Sequence, residues 1–152
     1  MEKLVLNIKG LSNNMLYEKE MYHYLILHFP IALFITGYLF DLISYFKPNS
    51  TYSIYAFYNL CLGVFSGILS IISGLITDQL VGHMDNLLPV WSTHGTHMIV
   101  AIILFTCFLI LKILISKEKI LVSSLFVLFL HSLILMFFIH GAHIGAKLAN
   151  RI

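Results

Sequence analysis

Residues 92–116 read STHGTHMIVAIILFTCFLILKILIS, with Lys112 the one Asp, Glu, Lys or Arg among them. Only Lys117, Glu118 and Lys119 separate that stretch from ILVSSLFVLFLHSLILMFFIHGAHIGAKL, residues 120–148. A helix crosses the hydrocarbon of a bilayer with about 20 predominantly apolar residues. Both stretches meet that length, and so short a link can only turn the chain straight back. The pair therefore reads as two antiparallel membrane-spanning helices.

Working outward, the segment from about Tyr22 to Phe46 is equally apolar and is ended by the breaker cluster Lys47, Pro48, Asn49 and Ser50. A further apolar run extends from Tyr52 to Thr77. Four spans at about 22–46, 52–77, 92–116 and 120–148 predict an all-α, up-down-up-down four-helix bundle integral to a membrane. Residues 1–21 precede it as a surface segment. Composition agrees: 59% of the residues are hydrophobic and 11% charged, against roughly 45–50% and 25% in soluble domains. One domain uses nearly the whole chain.

Pro30 stands either in the first turn of helix one, where its missing N–H costs nothing, or inside the helix, where it frees the carbonyl of Ile26. On helix two, Gly63, Gly67, Ser70 and Gly74 recur every three or four residues and form one smooth face. Such a face lets a neighbouring backbone or a flat cofactor approach closely, so Gly67 and Gly74 are expected to face the bundle interior.

Several function classes are set aside by residue usage. A net charge of +2 with no basic run offers no surface that tracks phosphates. Cys61 and Cys107 stand apart within apolar segments, without the C-x-x-C-H that attaches haem covalently. No nucleotide-binding loop, nucleophile elbow or protease motif is present. Residues 1–21 intersperse Lys3, Lys9 and Lys19 with Glu2, Glu18 and Glu20 and lack the apolar core expected of a removable signal peptide. Tyr22, Tyr24, Tyr45, Tyr52, Tyr55, Tyr58 and Trp91 fall where an interfacial aromatic belt belongs.

The histidines carry the functional signal. Alternating spans place the N-terminal segment, the connection of residues 78–91 and the C-terminus on one side. His23, His28, His83, His94, His97, His140 and His143 fall at or near that face, and only His131 lies mid-helix. His94 and His97 form H-G-T-H, and His140 and His143 form H-G-A-H. At about 100° per residue, such pairs stand some 60° apart on a helix and can both point inward. Two imidazoles from facing helices are the usual axial set of a b-type haem held in a membrane bundle. His28 and His97 are the first-choice ligands, with His94, His140 and His143 as a competing set, His23 as a further metal ligand, and Gly67 and Gly74 beside the ring. A copper, zinc or iron site of several imidazoles uses the same residues without needing a haem-sized space. Of the remaining polar groups in or near the spans, His131 is expected to be neutral and hydrogen-bonded to another helix, and Asp41 and Asp78 read as structural or proton-path groups.

The run His23-Tyr-Leu-Ile-Leu-His28-Phe29-Pro30-Ile31-Ala32-Leu33, with Asp41, Gly74, Asp78 and His97, resembles a bacterial family of four-helix membrane proteins of unknown function marked by an HFPIAL motif. The resemblance spans roughly residues 21–148. It departs from the family pattern at Tyr24, where proline is usual, and gives no counterpart for His94, His140 or His143. It implies His23, His28 and His97 as the shared polar set, and a neighbourhood of Rieske and cytochrome modules.

These readings predict a small membrane electron carrier of the b-type cytochrome kind, exchanging electrons with redox proteins or quinone. A metal-binding membrane protein and a structural anchor subunit of a redox complex, or a homo-oligomer, remain open beside it. Whether any substrate is turned over is left open as well. The location expected is a bacterial inner membrane. Lys47, Lys112, Lys117 and Lys119 mark the side opposite the histidines as cytoplasmic, so the histidine face is expected to be periplasmic.

Overall fold

The structure is a computed structural model. It describes the backbone of residues 2–48, 51–81 and 93–148 and the side chains of residues 21–48, 51–77 and 93–147. Four helices account for it: α1 (Glu2–Phe46), α2 (Tyr52–Val81), α3 (His94–Ser116) and α4 (Ser124–Leu148). Each packs on its sequence neighbour, and α1 closes the ring against α4. The order is up, down, up, down. Four segments, Met21–Phe46, Tyr52–Thr77, His94–Ser116 and Ser124–Lys147, are long and apolar enough to span a membrane.

Large apolar side chains face outward all along the bundle, among them Phe65, Leu62, Ile103, Phe129 and Met136. Water would not tolerate such a surface, whereas lipid does. Inside, Phe34 of α1 stacks on Phe105 of α3 across the bundle axis at 3.6 Å between ring centres. Phe138 of α4 meets both rings edge-on at 5.1 and 5.8 Å. From α2, Gly63 admits the Phe34 ring, which would lie 2.6 Å from a Cβ there, and Gly67 receives the Ile102 side chain. The small stripe of α2 thus faces inward as its spacing predicts, with the side chains of α1 and α3 filling the space it leaves.

Pro30 lies inside α1, not in its first turn, and is fully buried. The carbonyl of Ile26 loses its helical donor as a result. The Ser70 hydroxyl of α2 stands 3.5 Å from that oxygen while donating at 2.9 Å to its own Ser66 carbonyl. Hydroxyls on neighbouring helices are one means by which membrane helices tolerate proline.

Several helix boundaries differ from the sequence reading. Helix α1 reaches back to Glu2, so the segment read as an unpatterned surface stretch is helical and continuous with the first span. Helix α2 runs one turn past Thr77 to Val81, because no breaker intervenes before Gly82. Helix α3 begins at His94 behind the extended N-cap Thr93. Helix α4 begins at Ser124 and not at Ile120; at 25 residues it is about 37 Å long. The signal for that start is Ser123, whose hydroxyl accepts the Phe126 N–H at 3.3 Å as an N-cap does.

The link into α4 is a Schellman motif. The Glu118 N–H donates to Ile115 and the Lys119 N–H to Leu114, with Glu118 at φ 56°. A side chain in this left-handed region costs roughly 1–2 kcal/mol that glycine does not incur. Glu118→Gly is expected to raise stability by about 1 kcal/mol, read as a higher unfolding midpoint in detergent. An unchanged or lower midpoint counts against this account of the turn.

Candidate functional site

Helical phase decides which histidines face inward. The buried stripe of α1 runs through Pro30, Phe34 and Gly37. His23, seven residues before Pro30, shares that stripe, whereas His28, two residues before it, is turned some 200° away. His28 is accordingly exposed, and its Nδ1–H donates to its own helix at the Tyr24 carbonyl, 2.6 Å away. On α3 the buried set His97, Met98, Ala101, Phe105 and Phe108 continues back to a half-buried His94. On α4 the stripe passes through His131, Leu135, Phe138 and Gly141, so His140 and His143 point outward and are exposed.

Three inward imidazoles occupy the end of the bundle where α1 and α3 begin their spans. His23 Nδ1 lies 2.9 Å from the Ser73 hydroxyl of α2. That hydroxyl already donates its proton to Ser70 O at 2.9 Å, so the imidazole N–H is the donor and Ser73 Oγ the acceptor. His94 Nδ1–H donates to Gly141 O of α4 at 2.9 Å. His97 uses the opposite nitrogen: its Nε2–H donates to Phe137 O at 2.9 Å, and its ring stacks on Phe137 at 3.9 Å. The His140 ring stands 5.3 Å from that of His97.

A glycine backs each of these rings. A Cβ at Gly74 would meet His23 Cε1 at 3.2 Å, one at Gly141 would collide with His97, and one at Gly145 would collide with His94. The glycine of H-G-A-H therefore makes room for a histidine of α3. His23 of α1 and His94 of α3 stand on diagonally placed helices. The Thr96 hydroxyl beside His97 is buried with no hydrogen-bond partner among the described residues.

The pairing of His28 with His97 expected from sequence is not what the helix phases favour, since one ring is exposed and the other fully buried. Gly74 does lie at the histidine end, while Gly67 is deeper, against Ile102. The side chain of Asp78 and all of His83 and Trp91 lie outside the described residues. Among the described residues, no three His, Cys, Asp or Glu side chains converge closely enough to hold a metal ion.

A second polar cluster lies toward the opposite end. Asp41 of α1 accepts the Lys112 ammonium of α3 at 2.5 Å on one oxygen and His131 Nδ1–H of α4 at 2.8 Å on the other. His131 is hydrogen-bonded to another helix, as the sequence reading anticipates. It stands seven residues into the 25-residue α4, about 10 Å from that helix's start, and so short of the helix's midpoint. Its ring is fully buried, and Nε2 has no hydrogen-bond partner among the described residues. Leaving such a buried acceptor unpaired costs about 1–3 kcal/mol.

The fold and the polar residues it shelters define a multi-pass membrane protein of four helices. The chain belongs to the family described as "Predicted membrane protein (DUF2231)", which matches residues 21–152. That match begins where the first span begins. No curated protein and no solved structure gives a significant match.

Proposed function

We propose that this membrane protein binds one b-type haem at its histidine end, with His23 and His94 as axial ligands, and passes electrons to a redox protein or quinone. The observation that carries this reading is the hydrogen bond that each ring makes through Nδ1, His23 with the Ser73 hydroxyl of α2 and His94 with Gly141 O of α4, both at 2.9 Å. An imidazole oriented through Nδ1 presents Nε2 as its ligating atom for haem iron. Hydrogen bonds of this outer kind fix ring orientation and raise ligand basicity. Two imidazoles complete the axial set of haem iron, whereas zinc sites take three or four protein ligands. When bound, haem supplies a reversible one-electron couple. Gly74 leaves room for the His23 ring and Gly145 for the His94 ring. His97, which donates through Nε2 to Phe137 O, acts here by holding α3 against α4.

The test is a reduced-minus-oxidised visible spectrum of protein purified in mild detergent. The sharp bands of six-coordinate, low-spin b haem are expected, lost in His23→Ala and in His94→Ala and kept in His28→Ala and His143→Ala. A colourless protein with stoichiometric copper or zinc would support the metal-site reading instead. The imidazole-to-carbonyl bonds between α3 and α4 favour one further reading, a membrane anchor subunit whose histidines clamp helices; protein with neither haem nor metal points there. We also propose a bacterial inner-membrane location with the histidine face periplasmic. Lys47, Lys117 and Lys119 are exposed at the opposite end, in the manner of cytoplasmic loops.

A further inference from the structure

We propose that Asp41, Lys112 and His131 form a proton-binding site within the membrane, with His131 Nε2 as the atom that takes the proton. The cluster is distinct from the histidine end and does not depend on any cofactor there. Its first support is placement. Lys112 stands one turn before Ser116, where α3 ends, and a lysine so near an interface ordinarily extends its ammonium to the headgroups. Here the ammonium turns inward to the Asp41 carboxylate, with Phe108 beside it at 5.8 Å. The second support is His131 itself, fully buried, held at Nδ1 by Asp41 and carrying an unpartnered Nε2.

Aromatic side chains flank that ring: Phe108 lies 4.8 Å from it, Tyr38 5.5 Å and Phe105 6.0 Å, the last two perpendicular to it. In so apolar an enclosure an imidazolium depends on the Asp41 carboxylate for its counter-charge. The groups in contact are Asp41 and Tyr38 from α1 and Lys112, through Asp41, from α3. Among the described residues α2 supplies no titratable contact to His131. One carboxylate thus serves two potential cations. Proton uptake breaks an O–H bond of hydronium at the lysine-bearing end and forms Nε2–H. The imidazolium then holds Asp41 while Lys112, 13% exposed, swings toward the interface. Release reverses each step, and no electrons move.

The experiment is nitrogen-15 magnetic resonance of the unaltered chain, labelled at histidine and reconstituted in lipid bilayers. His131 is assigned by its proximity to the Asp41 carboxyl carbon, so no variant needs to fold. Between about pH 8 and about pH 5, the range in which imidazoles ordinarily titrate, the ring should pass reversibly from the neutral, Nδ1-protonated form to imidazolium. In Asp41→Asn, which keeps a hydrogen-bonding side chain, the change should move to lower pH because the counter-charge is gone. A His131 ring that holds one protonation state across the whole range overturns the proposal and leaves the cluster a structural ion pair.

Discussion

Asp41→Ala is expected to lower the stability of the bundle by about 3 kcal/mol or more, the range seen when one partner of a buried ion pair is removed. The carboxylate is the only group on α1 that ties to both α3 and α4 by charge among the described residues, through Lys112 and His131. Without it the ammonium must find the interface and the imidazole loses its acceptor. Pairing the change with Lys112→Met should recover most of the loss, because replacing a whole buried pair by apolar groups is commonly neutral or better. Unfolding in mixed detergent micelles measures both. If Asp41→Ala lies within about 0.5 kcal/mol of the parent, the ordinary range for surface changes, the cluster contributes nothing to the fold.

Gly141→Leu is expected to be comparably severe at the other end. Even a Cβ at this position collides with the His97 ring and approaches Met98 Sδ to 3.0 Å. The helices must then part, which strains the His94 bond to Gly141 O and the His97 bond to Phe137 O. Overpacking costs about 1–3 kcal/mol and each lost hydrogen bond about 1 kcal/mol, so a total of about 3–5 kcal/mol follows. Gly37→Ala, where a Cβ would meet its nearest neighbour, Asn59 Cβ, at 3.4 Å, serves as the control. Equal melting of the two variants would show that the α3–α4 contact is looser than described.

The architecture was legible because lipid imposes a simple requirement: each crossing needs a long apolar run, and four such runs stand out. The start of α4 was not, since Ile120, Leu121 and Val122 are as apolar as the helix that follows, and only the Ser123 cap distinguishes them. The site was half legible. Placement at one end follows from span alternation alone, but seeing that His23 faces inward and His28 outward requires the rotational phase of α1, and a helix apolar nearly all round gives no phase. Pro30 and Phe34 reveal it only once their burial is known. The Asp41 cluster was missed for a related reason. Its partners lie 71 and 90 residues away in sequence, and Lys112 read more simply as a marker of sidedness.

That separation bears on how the chain is made. Asp41 enters the bilayer with the first helix, when neither the lysine nor the imidazole it needs has yet been synthesised. Until α3 arrives, the carboxylate is a costly passenger in lipid, and its second contact comes only with the last helix. The final crossing therefore completes the pairing: a chain truncated before α4 keeps an incompletely satisfied acid in the membrane.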